Sequence, residues 1–484
     1  MNSTLEPPES EYKPTPAAEL LARAKQRSQA IRRHRLLGAS GSLAVVLALV
    51  LGGILIPSPA ANHPPGQIFV SDRIGSAYEL TANETPATSA PSTVVKEVES
   101  AEVAFSLELL SHVAGTSDAS NELVSPSSLA TALAMLELGA AGPTEQGIAA
   151  TLHTAGLSAS EQAAGWQGLA ALIAAETSRL GTNLAHVPEL NVANALFVQR
   201  NFAVLPAFVR ALSSEFRTGL WQVDFANDFA SATKAINQWT SENTNGLIKK
   251  LFAPGAINAF TVLVLADAVY FEAHWAYRFP SATKDLPFHL ASGGTAKVPF
   301  MTSGPLGSPT GLRAPVVLTK RYVAVELPYA GRKLSALVVM PTQGSLSSFV
   351  SSLTAAAFGR LVSSLPSDGA DIELSMPTFT LQSNNQLNDP LSSMGMSQAF
   401  GLAADFSRIT AEPPLQVQTV EQRCYLQVTP KGTTAAAATG IGIQPTSVAA
   451  VPRPIVINHP FLFLVRDNSS GAILFEAMVE NPAS

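Results

Sequence analysis

The C-terminal stretch "PFLFLVRDNSSGAILFEAMVE", residues 460–480, sets the class of fold. Two strand-like runs, 460–467 and 472–480, flank the turn residues "NSSG", so the stretch predicts a β-hairpin. Upstream, "VAVELPY" (323–329) and "KLSALVVMP" (333–341) flank the turn "AGR", and "DIELSMPTFTL" (371–381) alternates. Strands therefore crowd the last half of the chain. The first third keeps a different period. "VVKEVESAEVAFSLELLSHV" (94–113) spaces its apolar residues by three and four, as an amphipathic helix does. "SPSSLATALAMLELGAAG" (125–142) carries helix start and stop signals at its ends. A capping box, Ser158 to Glu161, opens another helix over 158–180, and Asn245 and Gly246 close one over 229–246. Helices segregated from strands argue an α+β fold with large antiparallel or mixed sheets. No G-x-G-x-x-G or Walker loop opens a helix, which argues against a doubly wound nucleotide-binding fold.

Composition narrows the function classes. At 484 residues, 46% hydrophobic and 14% charged, the chain can bury a large core. A formal charge of -6, with no basic stripe beyond the N-terminal segment, argues against a nucleic-acid partner. The single cysteine, Cys424, excludes an internal disulfide and a cysteine metal cluster, and reads as a small core residue. There is no G-x-S-x-G elbow and no H-E-x-x-H, and the eight histidines are scattered. The expectation is a protein that is not an enzyme, with no metal and no cofactor.

The N-terminus carries a targeting signal. Leu36 to Ile56 is twenty-one residues without a charge, long enough as a helix to cross a bilayer. Arg23, Lys25, Arg27, Arg32, Arg33 and Arg35 precede it, and no basic residue follows until Arg73. The positive-inside rule then makes 1–35 a largely disordered cytoplasmic segment and 36–56 a transmembrane signal anchor, with the rest extracytoplasmic. Small residues in "SPAAN" (58–62) also offer a cleavage site, which would give a secreted protein. Residues 57–92, rich in Pro, Ser, Thr and Ala, read as a linker, and 93–484 as the folded domain.

One stretch resists this description. From Gly432 to Val451 there are twenty residues without a charge, beginning "GTTAAAATGIGIQPTS", between the strand-like "RCYLQVTP" (423–430) and the C-terminal hairpin. Compact domains rarely keep so long a connection without a use for it. The chain from about Thr93 onward resembles the serpins. The resemblance rests on "NELVSPSSLATALAMLELGAAGPTEQGIAATL" (121–152), "NVANALFVQRNFAVLPAFV" (191–209), "AINQWTSENTNGLIKKLF" (235–252), "LADAVYFEAHWAYRF" (265–279), "VELPYAGRKLSALVVMP" (325–341), "LSSMGMSQAFGLAADFSRIT" (391–410) and the terminal "HPFLFLVRDNSSGAILFEAMVENP" (459–482), in the family's order. It implies three β-sheets, eight or nine helices and an exposed reactive-centre loop. It also implies inhibition of a serine protease by suicide: the protease cleaves the loop, an acyl-enzyme forms, and the freed segment inserts into the main sheet.

Under that resemblance the loop is a strand in waiting. At period two, Thr433, Ala435, Ala437, Thr439, Ile441 and Ile443 share one face, and Thr434, Ala436, Ala438, Gly440 and Gly442 the other. Small uncharged side chains past the hinge glycine, Gly432, suit passage between two strands, where a buried charge is costly. Burying Ile441 and Ile443 contributes roughly 1.5–3 kcal/mol each. The family's spacing puts the reactive bond at Thr446–Ser447, with Val448–Ala449 and Val451–Pro452 left open because the segment is longer than usual. The absence of Arg, Lys or a large aromatic nearby points to elastase-like or subtilisin-like targets. Trp275 matches the family's buried breach tryptophan, and Ser125, Ser128, Asp267 and Gln422 its shutter, where the last two depart together from the family's Asn and His. Pro430 and Thr434 replace two glutamates beside the hinge, and Pro430 removes a backbone donor and restrains it. A membrane-anchored or exported prokaryotic-type member is expected, monomeric and without a heparin-type activator, since 158–180 lacks clustered Lys and Arg. The alternative is a non-inhibitory binding or chaperone-like protein of the same fold.

Overall fold

A computed structural model describes residues 63–87, 89–114, 120–177, 188–277, 279–280, 283–304, 311–412, 415–433 and 454–483. Its largest sheet has eight strands, in the spatial order β1 (Ile68–Ile74), β2 (Ala77–Ala82), β5 (Leu220–Val223), β4 (Glu189–Gln199), β6 (Leu263–His274), β17 (Gly432–Thr433), β16 (Thr419–Thr429) and β15 (Phe379–Gln386). A second sheet of six runs β10 (Val316–Leu318), β11 (Tyr322–Pro328), β12 (Leu334–Pro341), β19 (Phe461–Asp467), β20 (Ile473–Val479) and β3 (Glu122–Val124). A third of four runs β18 (Ile455–Val456), β14 (Leu374–Pro377), β8 (Thr295–Thr302) and β7 (Lys284–His289). A two-stranded ribbon joins β9 (Leu312–Ala314) to β13 (Ala370–Ile372). The C-terminal hairpin is β19–β20, buried along both strands and paired from Phe461↔Val479 to Arg466↔Ile473.

Among the described residues there are nine α-helices. They are α1 (Ser92–Ala114), α2 (Pro126–Glu137), α3 (Gly142–Thr151), α4 (Ala159–Glu176), α5 (Pro206–Ala211), α6 (Phe225–Asn243), α7 (Leu346–Ser351), α8 (Ala355–Ser363) and α9 (Asn388–Leu391). Local chemistry sets several ends. The Ser158–Glu161 capping box starts α4, the Ser158 amide donating to Glu161 at 2.9 Å, and Asp224 caps α6 by accepting from the Asn227 amide at 3.0 Å. Beyond α6 the chain turns through Asn245 and Gly246, both at positive φ.

The main core lies between the first two sheets, where Phe271 of β6 meets Phe475 of β20 with ring centroids 6.1 Å apart. Helix α2 lies against β4, β6 and β20, which carries Ser125 and Ser128 to the back of the large sheet. A second core lies beneath α6, where Phe197 packs on Trp221 and Trp239 at 5.9 and 5.5 Å.

The expected linker over 57–92 is corrected by this core. Residues 68–82 are a β-hairpin added to the edge of the large sheet, with β2 antiparallel to β5 from Tyr78↔Gln222 to Leu80↔Leu220. Its two-residue turn, Gly75–Ser76, has Gly75 at φ +57°, the conformation a tight hairpin asks of its first turn residue. Ile74 and Ala77 on either side join the core beneath α6, and burying Ile74 contributes roughly 1.5–3 kcal/mol. The composition misleads because the alternation is short and is interrupted by a bulge between Val70 and Asp72. Exposed Asp72 and Arg73 on β1 discourage a further strand from adding to that edge. The anchor read at 36–56 lies outside the described residues, and among those described no helix is long and apolar enough to cross a membrane.

Docking of the hairpin depends on Gly219. A Cβ there would lie 2.2 Å from the Leu80 carbonyl oxygen and 2.7 Å from Glu79 Cγ. Gly219→Ala is expected to destabilise the fold by about 1–3 kcal/mol through overpacking. Urea denaturation checks this, together with hydrogen exchange, which should show faster exchange at 68–82 than in the parent.

Candidate functional site at the loop hinge

At its upper end β16 turns back on itself. Thr429, Pro430, Lys431 and Gly432 form a tight turn, and β17 returns antiparallel to β16 with Thr429↔Gly432 and Val428↔Thr433 as partners. The same two residues pair with β6 on the other side, Gly432↔His274 and Thr433↔Ala273. The hinge is thus seated between β6 and β16. Below it these strands pair directly and in parallel, from Val264↔Thr419 to Tyr270↔Tyr425, so the large sheet is split at the top and closed beneath. Gly432, at φ +151°, fits because a Cβ would lie 1.9 Å from the Ala273 carbonyl oxygen.

The seat is made from three elements. Trp275 donates from its backbone N to Lys431 O at 3.0 Å and from Nε1 to Thr429 O at 2.9 Å. Thr429 Oγ1 donates to Gly432 O at 2.9 Å, closing the turn. Thr433 is fully buried, and its Oγ1 lies 2.7 Å from the hydroxyl of Tyr329, which follows β11 and is itself fully buried. The Tyr329 ring stacks on Trp275 with centroids 4.7 Å apart and planes 8° from parallel. Burial pushes the Tyr329 hydroxyl far above its ordinary value, so it stays protonated and able to donate.

Pro430 lies in this turn, between Thr429 and Lys431. It takes no part in the β16–β17 ladder, whose pairs are Thr429↔Gly432 and Val428↔Thr433, so its missing amide costs no ladder bond.

Lower in the seam, Asp267 of β6 and Gln422 of β16 are register partners and fully buried. Gln422 Nε2 donates to Asp267 Oδ2 at 2.7 Å and to Ser125 O at 2.8 Å, while Gln422 Oε1 accepts from the Ser125 amide at 2.9 Å. Ser128 Oγ donates to Asp267 Oδ1 at 2.6 Å, and Ser125 Oγ donates to Leu474 O at 2.6 Å. A carboxylate beside an amide thus bridges the two strands and ties both to α2. Asn194 of β4 joins from the side, donating to Ser128 O at 3.0 Å. Cys424 is buried in β16, as a core residue would be.

Of the residues read from the sequence, the structure brings together Gly432, Thr433 and Trp275 at the top of the seam and Ser125, Ser128, Asp267 and Gln422 behind it. Thr434, Ala435, Ala436, Ala437, Ala438, Thr439, Ile441, Ile443, Thr446 and Ser447 lie outside the described residues. Tyr329 and Asn194 were missed. Both stand inside motifs quoted above, but only the pairing of distant strands reveals their partners.

A mixed sheet with a loop hinge paired to two strands above their parallel contact defines the architecture of this site. Comparison with known proteins gives the family. The Serpin (serine protease inhibitor) family model matches residues 100–482. An uncharacterized serpin-like protein of Thermococcus kodakarensis is 30% identical over 445 residues, covering 91% of this chain and 98% of that protein. The leukocyte elastase inhibitor of Sus scrofa is 30% identical over 397 residues, covering 80% of this chain and all of that one. The native-state structure of the thermophilic serpin tengpin superimposes with a TM-score of 0.71 at 23% identity, covering 82% of this chain and 97% of that one. The chain belongs to the serpin family.

The Asp267 carboxyl is raised by burial to about 7 from an ordinary value near 3.8, partly offset by the hydrogen bonds from Ser128 and Gln422. The folded state therefore holds this proton more tightly than the unfolded chain. Stability from this group is full below about pH 4 and falls as pH rises toward 7. Asp267→Asn lacks the titration, so its stability relative to the parent should rise between pH 4.5 and 7.5 in paired urea titrations. A constant difference would mean that Asp267 does not titrate in that window.

Proposed function

We propose that the chain inhibits a serine protease by suicide cleavage of its loop and insertion of the freed strand between β6 and β16. The observation that carries this is the seated hinge, with Gly432 and Thr433 already paired to both strands at the mouth of a closed parallel seam. Attack of the protease serine on the loop carbonyl forms the acyl-enzyme and breaks the peptide bond, leaving a new amino terminus on the downstream chain, which β19 and β20 keep in the fold. The upstream segment, no longer held at both ends, continues the strand that β17 begins. Each residue that follows breaks direct β6–β16 bonds and replaces them with two sets, one to each strand. The Asp267–Gln422 contact must part as the strand passes it, because those residues face each other across the seam. Insertion must therefore break these polar contacts as well as part the buried apolar neighbours along the seam, such as Leu265 and Val420.

Elastase-like or subtilisin-like proteases are the proposed targets, on the small uncharged residues about the bond. With such a protease, an SDS-stable complex is expected, together with a C-terminal fragment beginning at Ser447 that stays held through β19 and β20 and separates only on denaturation. A fragment with another first residue would move the reactive bond. Thr433→Arg would put a long charged side chain into the fully buried seat, so it is expected to abolish the stable complex while loop cleavage continues. If Thr433→Arg inhibits as well as the parent, insertion through this seam is excluded.

We further propose that residues 36–56 hold this monomeric domain on the outer side of a membrane. Membrane fractionation with N-terminal sequencing tests this. A mature N-terminus near Ala61 would instead make the protein secreted.

A further inference from the structure

We propose that Tyr329 is a positioning residue for strand insertion, its hydroxyl holding the Thr433 side chain in the seat between β6 and β16 before the loop is cut. The proposal rests on the inhibitory reading above and adds a residue to it.

Three observations support it. First, Thr433 is fully buried in the sheet, where a hydroxyl without a partner is unfavourable, and Tyr329 Oη lies 2.7 Å from its oxygen. The need is mutual, since a buried tyrosine hydroxyl also requires a partner and loses this one if the hinge leaves the sheet. Second, the ring is held on two sides, stacked on Trp275 at 4.7 Å and edge-on to Phe271 at 5.2 Å and 75°. Its backbone is tied as well. The Tyr329 amide donates to Leu334 O at 2.9 Å, the Ala330 amide to His274 O at 2.8 Å, and the Ala276 amide to Pro328 O at 2.9 Å. The hydroxyl is thus aimed from the second sheet at a fixed point in the first. Third, Trp275 stacks on this ring and bonds Thr429 O through its side chain and Lys431 O through its backbone amide, so one residue couples the latch to the hinge. A phenylalanine would fill the same space. What tyrosine adds is the hydroxyl, which favours a small hydroxylated residue at position 433 and keeps the first step of insertion already taken.

The test uses the full chain with three variants: Tyr329→Phe, Thr433→Val and the double variant. Each single change leaves one buried hydroxyl without its partner, whereas the double change removes both and restores a matched apolar pair. Amide hydrogen exchange at 432–433 in the uncleaved protein should be about tenfold faster in each single variant and within about twofold of the parent in the double. Against a subtilisin-like protease, the moles of inhibitor consumed per mole of protease should rise in the singles and recover in the double. The proposal is overturned if Tyr329→Phe exchanges at the parent's rate, or if the double variant is no better protected than the singles. Should Tyr329→Phe fail to fold, Thr433→Val reads the same pair from the hinge, and parental exchange in it overturns the proposal equally. Exchange is read without any protease, so absence of a covalent complex would refute inhibition while leaving the latch measurable.

Discussion

The parallel contact between β6 and β16 is the constraint around which the rest of the large sheet is arranged. On one side lie β4, β5 and the N-terminal hairpin, with α6 packed over them; on the other lies β15. Parallel neighbours far apart in sequence can be separated without cutting a tight turn between them. That topology leaves a place for one more antiparallel strand, and β17 has taken its first two residues.

The seam is held by polar chemistry at two levels. At the top, backbone pairing of Gly432 and Thr433 is backed by Trp275 and Tyr329. Lower down, Asp267, Gln422, Ser125 and Ser128 satisfy one another in a fully buried site. Contacts of this kind are modest in net free energy but directional, so they define the closed state sharply.

Much of the fold was legible where a local rule and the tertiary environment agree. The β19–β20 hairpin, the capping box at Ser158 and the stop at Asn245 and Gly246 each follow from near neighbours along the chain. One reading failed where they disagree. Residues 68–82 have a linker's composition but become strands because β5 offers them a partner and α6 an apolar surface.

The sequence alone determined the α+β class, the family and the residue types of the hinge and shutter, because periodicity, caps and motif order are properties of neighbouring residues. The tertiary structure decided that the hinge is seated, that Tyr329 meets Thr433 across 104 positions, and that Gln422 meets Asp267 across 155. Those contacts join strands distant in the chain. No local pattern encodes which hydroxyl or amide will be brought to within 3 Å of which partner when two sheets close on each other.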